Sequence, residues 1–491
     1  MLQLLIIIAY FLAIIGIGVW SRKRAGSQDG FFVAHRKGTV LLITGSLLAT
    51  AVGGSVTVGM AGLGFGQGLT GAWWLLVGVI GLLILGCFFA RKARVAALYT
   101  LPELVEKQYD RRVGLAASIL IVIAWTGVVA GQIVAAGKVL SILGIASVTS
   151  WMIIFTLVFV IYAILGGQYS IIRTDIFQAA ILFAGIFVAL ALVFSQVGGL
   201  GGLRASLPPT YLSFPLSPKF NWKMLISLLI LVGATYMVGP DIYTRLFCAR
   251  EERTAQISAF LSAFLFLPLA FAITLIGMGA RILYPEISAE QAFPQVISGI
   301  LSPGLSGLIL AALVAALMSS ADTCLLSQSV ILTEDIFKRF RPSFDEGKTV
   351  LLTRLSILAL GLVALGLAIA LKGVILSLLF AYTIFTCGLV VPVIAGFYKE
   401  KLKVTPQGAL AALVGGGVIG LVGKIPGLDI PLKEDLGLIG FAVSAVLLFG
   451  VSFLSLKGLS LRGILSTSEG TRRSNPKGGK EIASFHSQRR S

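Results

Sequence analysis

The sequence predicts an all-α integral membrane protein with about thirteen transmembrane helices, and three observations support this prediction. Of the 491 residues, 57% are hydrophobic and only 12% are charged. The mean hydropathy is +0.97, a composition that soluble globular domains do not have. Apolar runs of membrane-spanning length alternate with polar loops, and basic residues are concentrated in every second loop.

The apolar runs mark the expected membrane helices. With loop breaks placed at Gly, Pro and charged residues, they cover residues 2–20, 40–64, 70–90, 114–142, 149–166, 174–197, 223–247, 254–280, 298–332, 350–371, 373–397, 405–423 and 435–456. The first run lacks a basic n-region and an A-x-A site, and basic residues follow it. We therefore expect a retained helix rather than a cleaved signal peptide.

The distribution of basic residues predicts the orientation of the chain in a cell (inner) membrane. Thirty of the 39 Lys and Arg residues lie in the alternate loops 21–39, 91–113, 168–173, 245–253, 333–348 and 398–404 and in the tail from residue 457. The positive-inside rule places these segments in the cytoplasm, with the N-terminus outside and the C-terminus inside. The net charge of +18 then reflects topology and suits anionic lipid, so no nucleic-acid partner is needed to explain it.

Cysteine and histidine usage argues against redox or metal chemistry in the membrane. Cys87, Cys248, Cys324 and Cys387 lie in or at the ends of apolar segments without metal-type spacing, so we expect reduced, packing thiols. Both histidines fall in polar stretches. An integral membrane enzyme would need clustered His, Cys or carboxylates at depth, so we expect neither an enzyme nor a bound cofactor.

Two apolar runs contain features that weaken a helix. The run at 40–64 contains five glycines between Gly53 and Gly64, each costing about 1 kcal/mol in a helix interior, which predicts an interruption near Gly53–Ser55. The alternative is that these small residues permit close helix packing. The run at 223–247 contains Gly239 followed by Pro240, which removes a backbone donor.

The two weakened helices lie five helices apart and therefore enter from opposite sides of the membrane, which is typical of inverted-repeat transporters. The predicted organisation is a first helix and basic loop (1–39), one repeat (40–197), an extracellular loop (198–222), a second repeat (223–397), two further helices (398–456) and a basic cytoplasmic tail (457–491), disordered from residue 466. We also expect a short surface helix after Pro102 and a turn at Gly166-Gly167.

The stretch 308–339 combines membrane-helix length with a polar centre. Ala316, Ser319, Ser320 and Thr323 stand at i, i+3, i+4 and i+7, so they share one helical face. Lipid cannot satisfy such a face, which must meet protein, water or an ion. From spacing alone, the two possibilities are hydrogen bonds that join helices and an ion site.

Five motifs together resemble the sodium:solute symporter family, which includes proline, pantothenate, sialic acid and sugar transporters. They are SQDGFFVAHRKG (27–38), TLPELVEKQY (100–109), YAILGGQYSIIRTDIFQ (162–178), GPDIYTRLFCARE (239–251) and AALMSSADTCLLSQSVILTEDIFKR (315–339). The resemblance implies two inverted five-helix repeats of the leucine-transporter type and sodium-coupled uptake of a small organic solute by alternating access.

The resemblance also implies a sodium site between the first and the eighth core helix. Its ligands are implied to be the backbone carbonyls of Ala49, Val52 and Ala316 and the hydroxyls of Ser319 and Ser320. A hard cation such as sodium prefers oxygen donors. Five oxygens without a fixed charge would bind the coupling ion weakly enough to release it inside the cell.

Several acidic residues lie near this region. Asp175 matches an acidic residue that the family keeps near the sodium exit, and the alternative is a surface salt bridge with Arg173 or a loop lysine. Asp322 and Asp335 are interpreted as structural, and Asp241 as a helix-end residue rather than a ligand.

By resemblance, the solute lies against Ser55, Val56, Thr57, Gln132 and Tyr236. Tyr236 matches an aromatic residue of proline transporters, but the tryptophans that those carriers have at positions 55 and 232 are absent. Sugar carriers have a carboxylate and an amide where this chain has Ser55 and Val56, which disfavours a sugar. We expect a small amino acid such as proline, or a carboxylate, with its charge held by helix N-terminal amides.

Two other functions are compatible with the same fold. A sodium-independent uniporter or channel would differ in the sodium dependence of its flux. A nutrient sensor would need a signalling domain, and the 35 residues from 457 onward are too few for one.

Overall fold

The computed structural model describes residues 2–21, 27–341, 344–424 and 435–473, and this part of the chain is almost entirely helical. It contains no β-sheet, and only two isolated β-bridges occur, between Gly38 and Ala249 and between Ser217 and Phe220. The all-α fold class predicted from composition is therefore confirmed.

The α-helices of the first half are α1 (Leu2–Ser21), α2 (Gln28–Val33), α3 (Val40–Ala51), α4 (Met60–Gln67), α5 (Trp73–Ile84), α6 (Ala90–Val95), α7 (Leu101–Gln108), α8 (Arg111–Ser141), α9 (Val148–Val197) and α10 (Gly199–Ser206). Those of the second half are α11 (Trp222–Leu228), α12 (Thr235–Val238), α13 (Pro240–Cys248), α14 (Glu252–Leu283), α15 (Ala292–Ile300), α16 (Pro303–Ile331), α17 (Lys338–Phe340), α18 (Glu346–Leu371), α19 (Val374–Phe385), α20 (Val391–Gly396), α21 (Lys399–Leu402), α22 (Pro406–Val422) and α23 (Leu436–Arg473). Turns of π-helix join several of them, at Ser55–Gly59, Leu85–Phe89, Leu229–Gly233, Leu332–Phe337 and Thr386–Val390. Short 3-10 helices occupy Ala34–Arg36, Gly68–Ala72, Pro209–Leu212 and Ala289–Gln291.

Within the described ranges, nine helical stretches are long and apolar enough to cross a membrane. Three shorter apolar helices, Leu2–Ile17, Val40–Ala51 and Pro406–Val422, accompany them. The longest helix, α9, bends at Gly167, which has φ 53° and ψ −161°, and it therefore comprises two helical segments. This bend confirms the predicted turn at Gly166-Gly167, whereas the total of thirteen membrane helices stays a prediction.

Both predicted helix interruptions are confirmed. Helix α3 ends at Ala51, and helical structure resumes in the π-turn at Ser55–Gly59. Glycine is required in this first break because a Cβ on Gly53 would lie 2.3 Å from the Ser320 hydroxyl oxygen. The second break lies between α12 and α13, where Gly239 is extended (φ −60°, ψ 136°) and Pro240 begins the next helix.

Contacts between loops show that the alternate basic loops share one end of the molecule. Arg36 donates hydrogen bonds to the carbonyls of Leu98 (3.2 Å) and Phe247 (3.3 Å), which lie in two other basic segments. Arg339 forms an ion pair with Glu106. Because loops at the same membrane face contact one another, the predicted alternation of loops agrees with the structure.

Three details of the predicted organisation can be compared with the structure. The surface helix expected after Pro102 is confirmed as α7. Arg245, counted above as a loop charge, is instead fully buried in α13 because its guanidinium pairs with core polar groups. Helix α23 continues to Arg473, so the disorder predicted from residue 466 is wrong for 466–473; residues 474–491 lie outside the described residues.

Candidate functional site

The polar centre of α16 faces the break that follows α3. The Ser320 hydroxyl donates hydrogen bonds to the backbone carbonyls of Thr50 (2.6 Å) and Ala49 (3.2 Å). These carbonyls belong to the last turn of a helix that ends at Ala51, so the break leaves them without the usual intrahelical partners. The juxtaposition predicted for Ser320 and Ala49 is therefore present.

Ser319, although adjacent to Ser320, makes a different contact. Its hydroxyl donates to one carboxylate oxygen of Asp175 at 2.5 Å. The other carboxylate oxygen of Asp175 accepts a hydrogen bond from Ser46 on α3. All three side chains are buried. This network joins three core helices, since Asp175 lies on α9 and Ser319 on α16.

A buried arginine neutralises Asp175. The guanidinium Nη2 of Arg245 lies 3.3 Å from the Asp175 carboxylate and also donates to Thr323, while Nε donates to Ser46 at 3.0 Å. Both charged side chains are fully buried. The alternative pairing of Asp175 with Arg173 is wrong, because the Arg173 guanidinium lies over the Tyr169 ring, 4.2 Å from its centroid.

The five residues predicted to bind sodium are all buried, and their neighbourhood contains the oxygen donors that a hard cation requires. Ala316, Ser319 and Ser320 lie on α16, with Ala49 and Val52 at the break opposite. Val52 has φ −86° and ψ 48°, values outside the helical region, and its N–H still bonds to the Leu48 carbonyl at 2.9 Å.

A small cavity of about 30 Å³ lies between the two helix breaks. It is lined by Thr50, Ala51, Ser55, Trp125, Gln132, Thr235, Tyr236, Asp241, Ile242 and Tyr382. Three of the five residues predicted to contact the solute, Ser55, Gln132 and Tyr236, belong to this wall. Val56 and Thr57 do not: both are fully buried, and the Thr57 hydroxyl donates to the Gly53 carbonyl at 2.9 Å.

Gln132 has a second role in the cavity wall. Its side-chain oxygen Oε1 accepts a hydrogen bond from the backbone N–H of Gly54 at 2.6 Å. The Gly54 amide stands at the start of the resumed helix, where backbone donors lack intrahelical partners. Gln132 therefore caps the break from α8 as well as lining the cavity.

Sequence reasoning missed part of this wall. Trp125, Tyr382 and Asp241 line the cavity, whereas Asp241 had been interpreted only as a helix-end residue. It is both, since it stands in the first turn of α13. Its position in the motif GPDIYTRLFCARE, directly after the proline that begins a helix, is the signal that could have identified it.

Comparison with known proteins identifies the family of this chain. The family model described as sodium:solute symporter family matches residues 31–416. The sodium/glucose cotransporter 2 of Rattus norvegicus is 27% identical over 482 residues, covering 86% of this chain and 71% of the relative. The sodium/glucose cotransporter of Vibrio parahaemolyticus is 26% identical over 477 residues, covering 89% of this chain and 87% of the relative.

Solved structures are similar in fold. The structure of a Na⁺-coupled sialic acid symporter in a substrate-bound, outward-open state covers 92% of this chain and 98% of its own, with a TM-score of 0.78 and 19% identity. MhsT in complex with L-phenylalanine has a TM-score of 0.54 at 15% identity. These likenesses confirm a leucine-transporter-type fold. Because the family match spans most of the sequence, the chain belongs to the sodium:solute symporter family and is a membrane transporter that couples sodium to the symport of a small solute.

Proposed function

We propose that the chain carries a small organic solute into the cell together with sodium, by alternating access around the cavity between the two breaks. The contact that carries the proposal is the one between the Ser320 hydroxyl and the carbonyls of Ala49 and Thr50. It places side-chain and freed backbone oxygens of two helices in one buried position, where a small cation can hold the helices together.

The proposed sodium ligands are the carbonyls of Ala49, Val52 and Ala316 and the hydroxyls of Ser319 and Ser320. Sodium would be coordinated by the oxygens of Ser319 and Ser320, whose hydroxyls now donate hydrogen bonds to protein acceptors. Because Ser319 contacts Asp175, an ion leaving this position toward the cytoplasm passes a carboxylate next. We assign Asp175 to the exit on this basis.

The driving force is sufficient for uptake. One sodium ion moving down a tenfold gradient supplies about 1.4 kcal/mol, and a membrane potential of about 100 mV adds about 2.3 kcal/mol. Together they support several-hundred-fold accumulation of a neutral solute. The basic end of the molecule would face the cytoplasm, with the N-terminus outside and the protein in the cell (inner) membrane.

The proposed solute is a small amino acid, such as proline, or a carboxylate. A hexose or polyol is the second candidate, because relatives are named for glucose and, in Mus musculus, for myo-inositol at 24% identity. Against the sugar, position 56 is a valine that does not reach the cavity, so no hydrogen-bonding side chain acts there.

Uptake into proteoliposomes tests the sodium assignment. With an imposed inward sodium gradient the wild-type protein should accumulate solute, whereas Ser319→Ala/Ser320→Ala should lose accumulation and require more sodium. The double variant changes volume little, so its abundance in the membrane should stay normal. Full accumulation on a proton gradient alone, unaffected by the double variant, would contradict sodium coupling, and sodium-independent equilibration would support the uniporter.

A further inference from the structure

The side chains of the cavity wall limit the chemical class of the solute more narrowly than membership of the family does. Three aromatic side chains, Trp125, Tyr236 and Tyr382, share the wall with a single carboxylate, that of Asp241. The lining contains no lysine, arginine or histidine. Aromatic faces attract cations through the ring quadrupole, and a carboxylate attracts them directly.

The carboxylate of Asp241 is open to the cavity. The residue is only partly buried, and no basic side chain in the described part of the chain lies within ion-pair distance of it. Arg245 follows one helical turn later, but its guanidinium pairs with Asp175 and with the hydroxyls of Ser46 and Thr323. Backbone N–H groups in the first turn of α13 donate hydrogen bonds to this carboxylate.

The same wall contains a buried polar group without a partner. The hydroxyl of Thr50 makes no hydrogen bond at ordinary distance to the described residues, although the residue is only 6% exposed. Buried polar groups are normally paired, so this hydroxyl indicates a ligand with a polar atom near it. The indole of Trp125, in contrast, faces the Asp241 carboxylate. The wall thus offers one carboxylate, three ring faces and a free hydroxyl.

We propose that Asp241, with Trp125, Tyr236 and Tyr382, selects a solute with a positively charged nitrogen: an amino acid or another small ammonium compound. The inference rests on the proposed symport and names its substrate class. A carboxylate without an amine would face Asp241 with like charge. An uncharged hexose would leave the Asp241 carboxylate without a counter-ion in a cavity that has no other.

A thermal-shift panel on the purified full-length protein in sodium and in potassium buffer tests the solute class. The panel holds the twenty amino acids, glycine betaine and choline, with matched compounds that lack the nitrogen: cyclopentanecarboxylate for proline, and 3,3-dimethylbutan-1-ol for choline. D-glucose and myo-inositol complete it. We expect sodium-dependent stabilisation by one or more amine-bearing compounds and none by their matched partners. Stabilisation by a sugar or by a nitrogen-free carboxylate overturns the inference. The absence of a thermal shift with every amine-bearing compound overturns it too.

Variants of Asp241 and Tyr382 then test whether these residues bind the solute. For the stabilising compound, Asp241→Asn should raise the apparent KM of uptake at least tenfold, while the sodium-induced thermal shift without solute persists. Asp345→Asn, an exposed helix N-cap in a loop, is the matched control and should leave KM unchanged. If Asp241→Asn does not fold, Tyr382→Leu should raise KM severalfold. Unchanged KM in these folded variants overturns the assignment, whereas loss of sodium dependence in the wild-type protein would contradict the symport itself.

Discussion

Ser319 on α16 donates a hydrogen bond to Asp175 on α9 at 2.5 Å, while the adjacent Ser320 donates to backbone carbonyls at the break after α3. Two neighbouring hydroxyls thus contact two different partners. One reaches the freed carbonyls, and the other reaches a carboxylate that is paired with Arg245. Any ion that draws both hydroxyls to itself must therefore alter the contacts of the buried ion pair.

The first prediction separates the two serines from ordinary membrane-helix serines. Ser320→Ala removes the hydroxyl that contacts Ala49 and Thr50, and we expect the half-saturating sodium concentration to rise at least tenfold, a loss of about 1.4 kcal/mol. Ser329→Ala is the matched control on the same helix, because its hydroxyl donates only to the Leu325 carbonyl at 2.7 Å. Sodium titration of uptake measures both, and equal effects would contradict the role of Ser320.

The second prediction concerns the ion pair. Arg245→Met leaves the Asp175 carboxylate buried without its cation, which should destabilise the protein by about 3–5 kcal/mol. Adding Asp175→Asn should recover much of that loss, and thermal melting in a double-mutant cycle measures the coupling. Arg250→Gln is the control, since its pair with Glu251 is exposed and its loss should cost less than about 1 kcal/mol. Additive effects at positions 175 and 245 would contradict the pairing.

The sequence located both helix breaks because glycine density and Gly-Pro spacing act through the local backbone. Gly53 and Gly239 lie in the two breaks, as those local rules predict. Motif resemblance brought Ser320 and Ala49 together correctly. These successes depend on short-range signals or on a shared motif.

The ion-pair partner of Asp175 could not be predicted from local sequence signals or from the motifs. Arg245 lies 70 residues away along the chain, and the contact exists only because α13 packs against α3 and α16. Ser319 and Ser320 likewise contact different partners because their side chains point toward different helices. The spacing of residues along one helix does not determine these directions. Trp125 and Tyr382 were missed for the same reason, since an aromatic residue in a membrane helix does not by itself show which neighbours it faces.

The third prediction concerns the Tyr236 ring. Tyr236→Ala should raise the apparent KM for the solute strongly and leave half-saturating sodium nearly unchanged, because the residue lies in α12 beside the second break and is not one of the proposed ion ligands. Gly78→Ala should raise KM severalfold, since a Cβ there would lie 2.9 Å from ring atoms of Tyr236 and displace the ring. The control is Gly366→Ala, where a Cβ meets nothing within 4 Å. An unchanged KM in Tyr236→Ala would remove this residue from the solute site.

The fourth prediction tests orientation. Lys399 lies at the basic end of the molecule, and Lys219 lies in the predicted extracellular loop. The exposed Cys87 is replaced by Ser, and the three buried cysteines are kept. In this background Lys399→Cys and Lys219→Cys should differ in labelling by an impermeant maleimide on intact cells. Only the cysteine at 219 should react until the membrane is opened. Labelling of position 399 from outside would reverse the topology.

The last prediction concerns the capped break. Gln132 Oε1 accepts from the Gly54 amide at 2.6 Å, so Gln132→Ala leaves a buried N–H without a partner. Such a loss costs about 1–3 kcal/mol and should lower the melting temperature. It should also weaken sodium binding, because the same break carries the Ala49 and Val52 carbonyls.

Gln132→Glu distinguishes capping from solute contact. A glutamate keeps an acceptor for the Gly54 amide, so stability and sodium dependence should be retained relative to Gln132→Ala. It also places a second negative charge on the wall that already holds Asp241. Melting curves and sodium titration of uptake measure these effects, and equal destabilisation by alanine and glutamate would show that the acceptor oxygen does not hold the break.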